Sequence, residues 1–181
     1  MTKNTSRFLS HARAGILDSF GIGSHDSLRF TLLRKYLSKE DLKELKSMIA
    51  YSESQHRGEL RLAIETKLPL LQVWSGKTAR IRAVEMFSFL RVWDTEENTG
   101  ILIYLLLAEK KIVLLADRGI YKKIGQDNLD SIANEISEGF KESKYKKSLA
   151  NGIQKLTEIL KKHFPAQGEN PNELPDEPYI V

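Results

Sequence analysis

Two short segments limit the folds open to this chain more than anything else in it. Glu59–Glu65 alternates strictly, with Leu60, Leu62 and Ile64 on one face and Glu59, Arg61, Ala63 and Glu65 on the other. That period of two marks a strand with one apolar and one partly wet face, which places it near a sheet edge. Residues 101–107 (ILIYLLL) are apolar without a break, as in a central strand buried on both faces. Between them, residues 77–93 place Ile81, Val84 and Phe87 at helical spacing, so a crossover helix with that apolar face is expected. Strands joined through such a helix run parallel, with a right-handed connection. Lys110 and Lys111 then separate the long run from residues 112–116, which predicts an antiparallel hairpin. Its turn lacks Asn-Gly or Asp-Gly, so the turn type stays open.

Helical periodicity supplies the flanking layers. Ser38 precedes Lys39, Glu40 and Asp41, an N-cap with acids in the first turn, and Leu42, Leu45 and Ile49 continue as the stripe of a helix to about Ser54. Residues 126–140 and 146–163 repeat apolar residues at the same period (Leu129, Ile132, Ile136, Phe140; Leu149, Ile153, Leu156, Leu160). The order α–β–α–β–β–α–α predicts a Rossmann-like three-layer α/β/α sandwich around a small mixed sheet. Residues 39–165 form its body. Residues 1–38 read as a helical preface in which Gly15, Gly21 and Gly23 break any long helix, and residues 24–26 offer a cap for a short helix near Ser27 with Leu28, Leu32 and Leu33 as its stripe. Residues 70–76 read as a connection. Four of the five prolines fall in residues 165–178, and residues 166–181 read as an acidic tail docked on the domain through Leu174, Tyr179, Ile180 and Val181.

Composition excludes several classes of function. The chain has no cysteine, which removes disulfides, thiolate zinc sites and thiol catalysis. No apolar stretch reaches the ~20 residues of a membrane span, and the first residues lack the apolar core of a secretory signal, so a cytoplasmic protein is expected. The net charge is +4, and residues 166–181 hold four acids and no Lys or Arg, which leaves +8 on residues 1–165. The basic clusters at 141–147 and 155–162 are interrupted by Glu142 and Glu158 and carry few aromatics, so solvated helix faces explain them better than nucleic-acid binding. Ser75, Gly76, Lys77 and Thr78 imitate the end of a phosphate-binding loop, but Leu71 stands where its first glycine belongs. No residue has an unambiguous nucleophile setting: Thr95 and Ser54 have no neighbouring histidine but His56.

The topology offers more than the motifs do. With two parallel strands and an antiparallel third, three chain positions meet at one end of the sheet: Glu53, His56 and Glu59 at the first strand, residues 94–98 (DTEEN) before the second, and Asp117 after the third. Asp127 could join from the next loop and cap its own helix. Oxygen donors gathered on one rim suit a hard cation, Ca2+ or Mg2+. Two functions follow. In a binding and assembly module, the rim holds the metal or a protein partner without turnover. In a weak metal-dependent phosphatase, Asp117 or Asp94 is a ligand, Glu59 the base, and Arg57 or Arg61 clamps the phosphate.

Residues 52–59 (SESQHRGE), 80–87 (RIRAVEMF), 91–95 (RVWDT) with 98–104 (NTGILIY), 116–120 (ADRGI), and 163–165 (HFP) with 172–176 (NELPD) occur in an order and spacing that resembles the TPM-domain family. Its founders are a thylakoid-lumen phosphatase, a photosystem II repair protein and a receptor-associated protein. The resemblance covers about residues 39–178. It implies a Rossmann-like sandwich, divalent-metal binding in some members and weak acid phosphatase activity in others. It carries acidic positions onto Glu53, Glu59, Asp94, Asn98, Asp117 and Asp127. Leu129 departs from an aromatic in relatives, and neither the signal peptide nor the membrane anchor of many relatives is expected here.

Overall fold

The computed structural model describes residues 3–19, 32–168 and 170–181; the cap expected at residues 24–26 and the helix start near Ser27 lie outside them. Helix α1 spans Lys3–Ser19, helical residues 32–36 follow, and α2 spans Lys39–Glu53. Strand β1 (Glu59–Glu65), helices α3 (Leu70–Trp74) and α4 (Ala79–Phe89), and strands β2 (Gly100–Leu106) and β3 (Lys111–Ala116) form the middle of the chain. Helices α5 (Arg118–Ile124), α6 (Gln126–Lys141) and α7 (Tyr145–His163) and the two-residue strand β4 (Tyr179–Ile180) complete it. None of the described helices is long and apolar enough to cross a membrane.

The sheet has the order β3-β2-β1-β4, with β1 parallel to β2 and β4 and antiparallel pairing between β2 and β3. The long apolar run is thus interior, as expected. Alternate residues of each strand feed two cores. Leu60, Leu62, Ile64, Ile101, Ile103 and Leu105 pack with α2, α6 and α7 through Leu45, Ile49, Phe140 and Leu156. Ala63, Leu102, Tyr104 and Leu106 pack on the other side with Val73, Ala79, Ala83 and Met86 from α3 and α4. The result is a three-layer sandwich of mixed strand direction. Ser38 caps α2 by a capping box in which its hydroxyl accepts from Asp41 N at 3.0 Å and the Asp41 carboxylate accepts from Ser38 N at 2.8 Å.

Several expectations need correction. Gly15 does not stop α1, which runs through it for 17 residues; an interior glycine costs only about 1 kcal/mol against alanine. Docking contributes more. Arg7 and His11 converge on Glu109, both at 2.9 Å, while His11 Nδ1 accepts from Leu68 N at 3.0 Å. Residues 70–76 include a helical turn, α3, and α5 was not foreseen. The inward face of α4 is Ala79, Ala83 and Met86, while Ile81 and Val84 are half exposed. The hairpin turn is a 3-10 turn at Leu107–Glu109 followed by Lys110 in the left-handed region.

The larger correction concerns β1. All seven of its residues are buried, including the charged ones meant for a wet face. Glu65 Oε2 accepts from Tyr104 Oη at 2.7 Å and Arg82 Nε at 2.8 Å, so α4 and β2 cover and satisfy that end of the strand. Residues 170–181 cover the other end, and β4 shields the edge.

Candidate functional site

The strand ends meet as the topology requires. Glu59 N donates to Thr99 O at 3.1 Å and Asp117 N donates to Gly100 O at 2.9 Å, so the start of β1, the loop before β2 and the end of β3 share one rim. The rim divides into an inner and an outer set of carboxylates.

The inner set is Glu53 and Glu59, joined by Asp176, which the reading of strand ends missed. Glu53 and Glu59 are almost fully buried. Glu53 Oε1 accepts from Leu60 N at 2.7 Å, and the buried carboxyl faces Asp176, to which it can donate when protonated. Glu59 Oε2 accepts from Glu173 N at 3.2 Å and Leu174 N at 3.0 Å. Burial, with the negative charges of Glu59 and Asp176 adding to it, pushes the Glu53 carboxyl from 4.5 to about 9. Glu53 therefore carries a proton at neutral pH. Burial also raises Glu59.

This proton has a consequence for stability. Below about pH 4.5 Glu53 is protonated whether the chain is folded or not, and the folded state keeps its full advantage. As pH rises towards 9 the unfolded chain releases the proton and the folded chain does not, so stability falls through that window. Its slope is at most about 1.4 kcal/mol per pH unit. Glu53→Gln, which keeps an acceptor for Leu60 N, is expected to flatten the slope in denaturant unfolding compared at roughly pH 6 and 8. An equal slope in both proteins would assign the buried proton elsewhere.

His56 is fully buried beside this set. Its Nδ1 accepts from Gly58 N at 3.2 Å, so Nε2 bears the hydrogen and donates to Ser52 Oγ at 2.8 Å. Ser52 in turn donates to Thr157 Oγ1 at 2.6 Å, and Thr157 to Ile153 O at 2.8 Å. Burial lowers the imidazole to about 4, which keeps it neutral. A ring with its hydrogen on Nε2 cannot take a proton from Ser52, so the pair ties α2 to α7 rather than activating a nucleophile.

The outer set is Asp94, Asn98 and Asp117. Asp94 pairs with Arg91, and Asn98, in the left-handed region at φ 56°, accepts from Arg118 Nε at 2.7 Å. Asp117 caps α5, its Oδ1 accepting from Arg118 N at 2.6 Å, while Oδ2 is buried and unpartnered. Asp127 sits farther along, in the first turn of α6, where Gly125 and not Asp127 occupies the cap position. Among the described residues no three His, Asp or Glu side chains are grouped to hold a metal ion. The donors are nonetheless all oxygens, and Asp117 Oδ2 is buried without a partner; oxygen donors are the kind a hard cation takes. Neither predicted phosphate clamp is open. Arg57 donates to Pro165 O at 3.1 Å and pairs with Glu97, and Arg61, 7% exposed, donates to Pro175 O and Glu177 O. The signal for Asp176 lay in residues 172–176, legible as a block but not as a neighbour of Glu53.

The sequence matches the family model described as the TPM domain over residues 32–159. No curated protein matches it. Among solved structures, the BA42 protein of the psychrophilic bacterium Bizionia argentinensis is 28% identical, with a TM-score of 0.71 over 81% of this chain and 96% of that one. The N-terminal domain of a P. gingivalis protein is 16% identical, with a TM-score of 0.58 over 74% of this chain and 83% of that one, and shows the fold alone.

Proposed function

The chain belongs to the TPM-domain family, and from that premise we propose that it is a binding and assembly module taking up Ca2+ or Mg2+ at the outer carboxylates of its rim. Asp117 Oδ2, buried and unpartnered where three strands end, carries this reading: a charged acceptor kept from both water and donors is unfavourable unless something occupies it. Asp94, Asn98 and the acids of the same loop would complete an oxygen shell, and a bound divalent ion would supply charge that draws these loops together. Arg91 and Arg57 already pair with Asp94 and Glu97, and Arg118 occupies the Asn98 oxygen, so the affinity expected is weak, roughly 0.1–1 mM.

The inner carboxylates support the module over the phosphatase. Glu59, the candidate base, has an oxygen engaged by two backbone N–H groups of the tail, and Arg61 is engaged by tail carbonyls. A chain reacting with a phosphomonoester would have to give up those contacts first.

Titration with Ca2+ and with Mg2+, followed by backbone amide shifts, is expected to move signals of residues 94–98 and 117–119 and to leave α7 unmoved. Asp117→Asn should lose the response while keeping the N-cap acceptor. No shift at millimolar metal removes the cation. Phosphomonoester hydrolysis that depends on Mg2+ and disappears in Asp117→Asn restores the enzyme.

A further inference from the structure

Residues 170–181 lie against the β1 edge of the sheet, and the body holds them largely by their backbone. Glu59 Oε2 accepts two successive N–H groups, those of Glu173 and Leu174. The Arg61 guanidinium donates to the carbonyls of Pro175 and Glu177, the latter at 2.6 Å. Farther along, Tyr179 and Ile180 pair in parallel with Ala63 and Ile64, and Val181 N donates to Ile64 O at 2.9 Å. Main-chain recognition by an added strand, with pockets for selected side chains, is how proteins bind extended peptides. The pockets are present too. Leu174, 5% exposed, enters the core cluster of Ala63, Met86 and Val92. The Tyr179 ring lies 5.9 Å from the Arg61 guanidinium carbon and 6.0 Å from the Phe89 ring.

The seat is also shallow. Of residues 170–181 only Leu174 and Pro178 are buried, and the added strand is two residues long. A segment with so few buried side chains belongs to the part of a protein that opens locally while the rest stays folded. Cations meet the acids of the segment: Lys46 Nζ lies 2.6 Å from Glu177, and Arg61 offsets Glu177 and Asp176, the latter of which also lies beside Glu53 and Glu59.

We infer that the groove along β1 is a peptide-binding site which residues 170–181 fill in cis, and that its ligand in trans is an extended acidic segment of another protein, with a leucine anchor followed by proline and an apolar strand-forming end. Glu59, Arg61 and β1 hold the backbone of the segment, while Asn170 Nδ2 donates to Glu53 O and His56 O, both at 3.0 Å, so the groove accepts other sequences that keep the asparagine, the leucine and the acidic flank. The groove adjoins the loop proposed for the cation, where Glu96 N donates to Glu173 Oε2 at 2.8 Å, but peptide binding is read without added metal, so its failure leaves the cation titration untouched. A trans ligand competes with a tethered one whose effective concentration is on the order of millimolar. Binding to the intact chain is therefore expected to be weak, and binding to a chain whose own segment is released much tighter.

The test uses the full chain with a protease site inserted next to the exposed Gly168, folded first and then cut. A fluorescent synthetic peptide of residues 170–181 is expected to bind the cut chain saturably and to be competed by the same peptide unlabelled. A peptide with Leu174→Asp should compete at least tenfold less well, and the uncut chain should bind roughly 100-fold more weakly. A full chain carrying Leu174→Asp gives a second route, since its weakened cis segment should yield to the wild-type peptide without cutting. The assignment is overturned if neither chain binds the peptide. It is overturned equally if both lose the folded circular dichroism spectrum, because the segment is then core and not ligand. A doubled mass with exchange of labelled tails between copies would assign the groove to self-assembly instead of a foreign partner.

Discussion

Leu105→Glu is expected to leave the chain unfolded or nearly so under conditions where the wild type is native. Leu105 is fully buried near the end of β2, paired with Ile64 on one side and Ile112 on the other. It belongs to the larger core, between the sheet and the α2, α6 and α7 layer. The substitution removes one of the larger apolar contributions, about 2–3 kcal/mol on area grounds. It also places a carboxylate where no partner stands, a further penalty of several kcal/mol even if the group protonates. Together these approach the 5–15 kcal/mol that stabilises a typical domain. Chemical denaturation reads the effect directly. A midpoint that stays where the wild type has it would mean that residue 105 does not face the core.

The arrangement that puts Leu105 there was legible in the sequence because strand patterning is local. An unbroken apolar run needs two covered faces, and a strand, helix and strand in succession need a parallel pair. The alternation of Glu59–Glu65 was equally legible, yet its charged face was misjudged. Charges normally mean water, and the groups that replace water here are distant in sequence: Arg82 and Tyr104 on Glu65, and backbone groups of residues 173–177 on Glu59 and Arg61. A pattern within seven residues cannot announce partners that far away. The α4 face was misjudged for a different reason. Large residues dominate a periodicity count, but Ala79 and Ala83 face the sheet because small side chains let the helix backbone approach it closely.

The rim shows the same division. Strand ends and loop acids were placed together by topology alone, and the structure does bring Glu59, Asn98 and Asp117 to one end of the sheet. Their hydrogen-bond roles were not legible. Glu53 and Glu59 take backbone N–H groups that only the folded β1 and the tail present, Asp94 meets Arg91 of its own loop, and Asn98 meets Arg118 from the start of α5. An acid-rich rim read from sequence counts negative charges without their counterions, which is why it exaggerates the pull on a cation. The Ser52, His56 and Thr157 chain was hidden likewise, because Thr157 comes from α7.

Gly100→Ala is expected to be the most damaging single-methyl change near the rim, and it tests whether the loop before β2 is built around that glycine. A Cβ at residue 100 would lie 1.9 Å from Val92 O, a backbone atom, and 3.0 Å from its carbonyl carbon. Neither side can yield easily. Gly100 is pinned opposite Glu59 in the β1 register, and its carbonyl accepts from Asp117 N. Val92 is fully buried, and its N–H donates to Phe87 O at 3.0 Å. The clash therefore moves the loop that carries Asp94 and Asn98, or the strand start itself. Overpacking of this kind costs about 3 kcal/mol or more, which for a chain of this size lowers Tm by roughly 6–12 °C. The same displacement separates Asn98 from Asp117, so whatever amide-shift response the rim gives to Ca2+ or Mg2+ should fall with the melting temperature. Gly76→Ala is the contrasting case: no atom lies within 4 Å of its Cβ, although φ is +83°. It should lower Tm by a smaller amount and leave the rim response intact. Equal melting temperatures for Gly100→Ala and the wild type would show that the Val92 carbonyl is free to move.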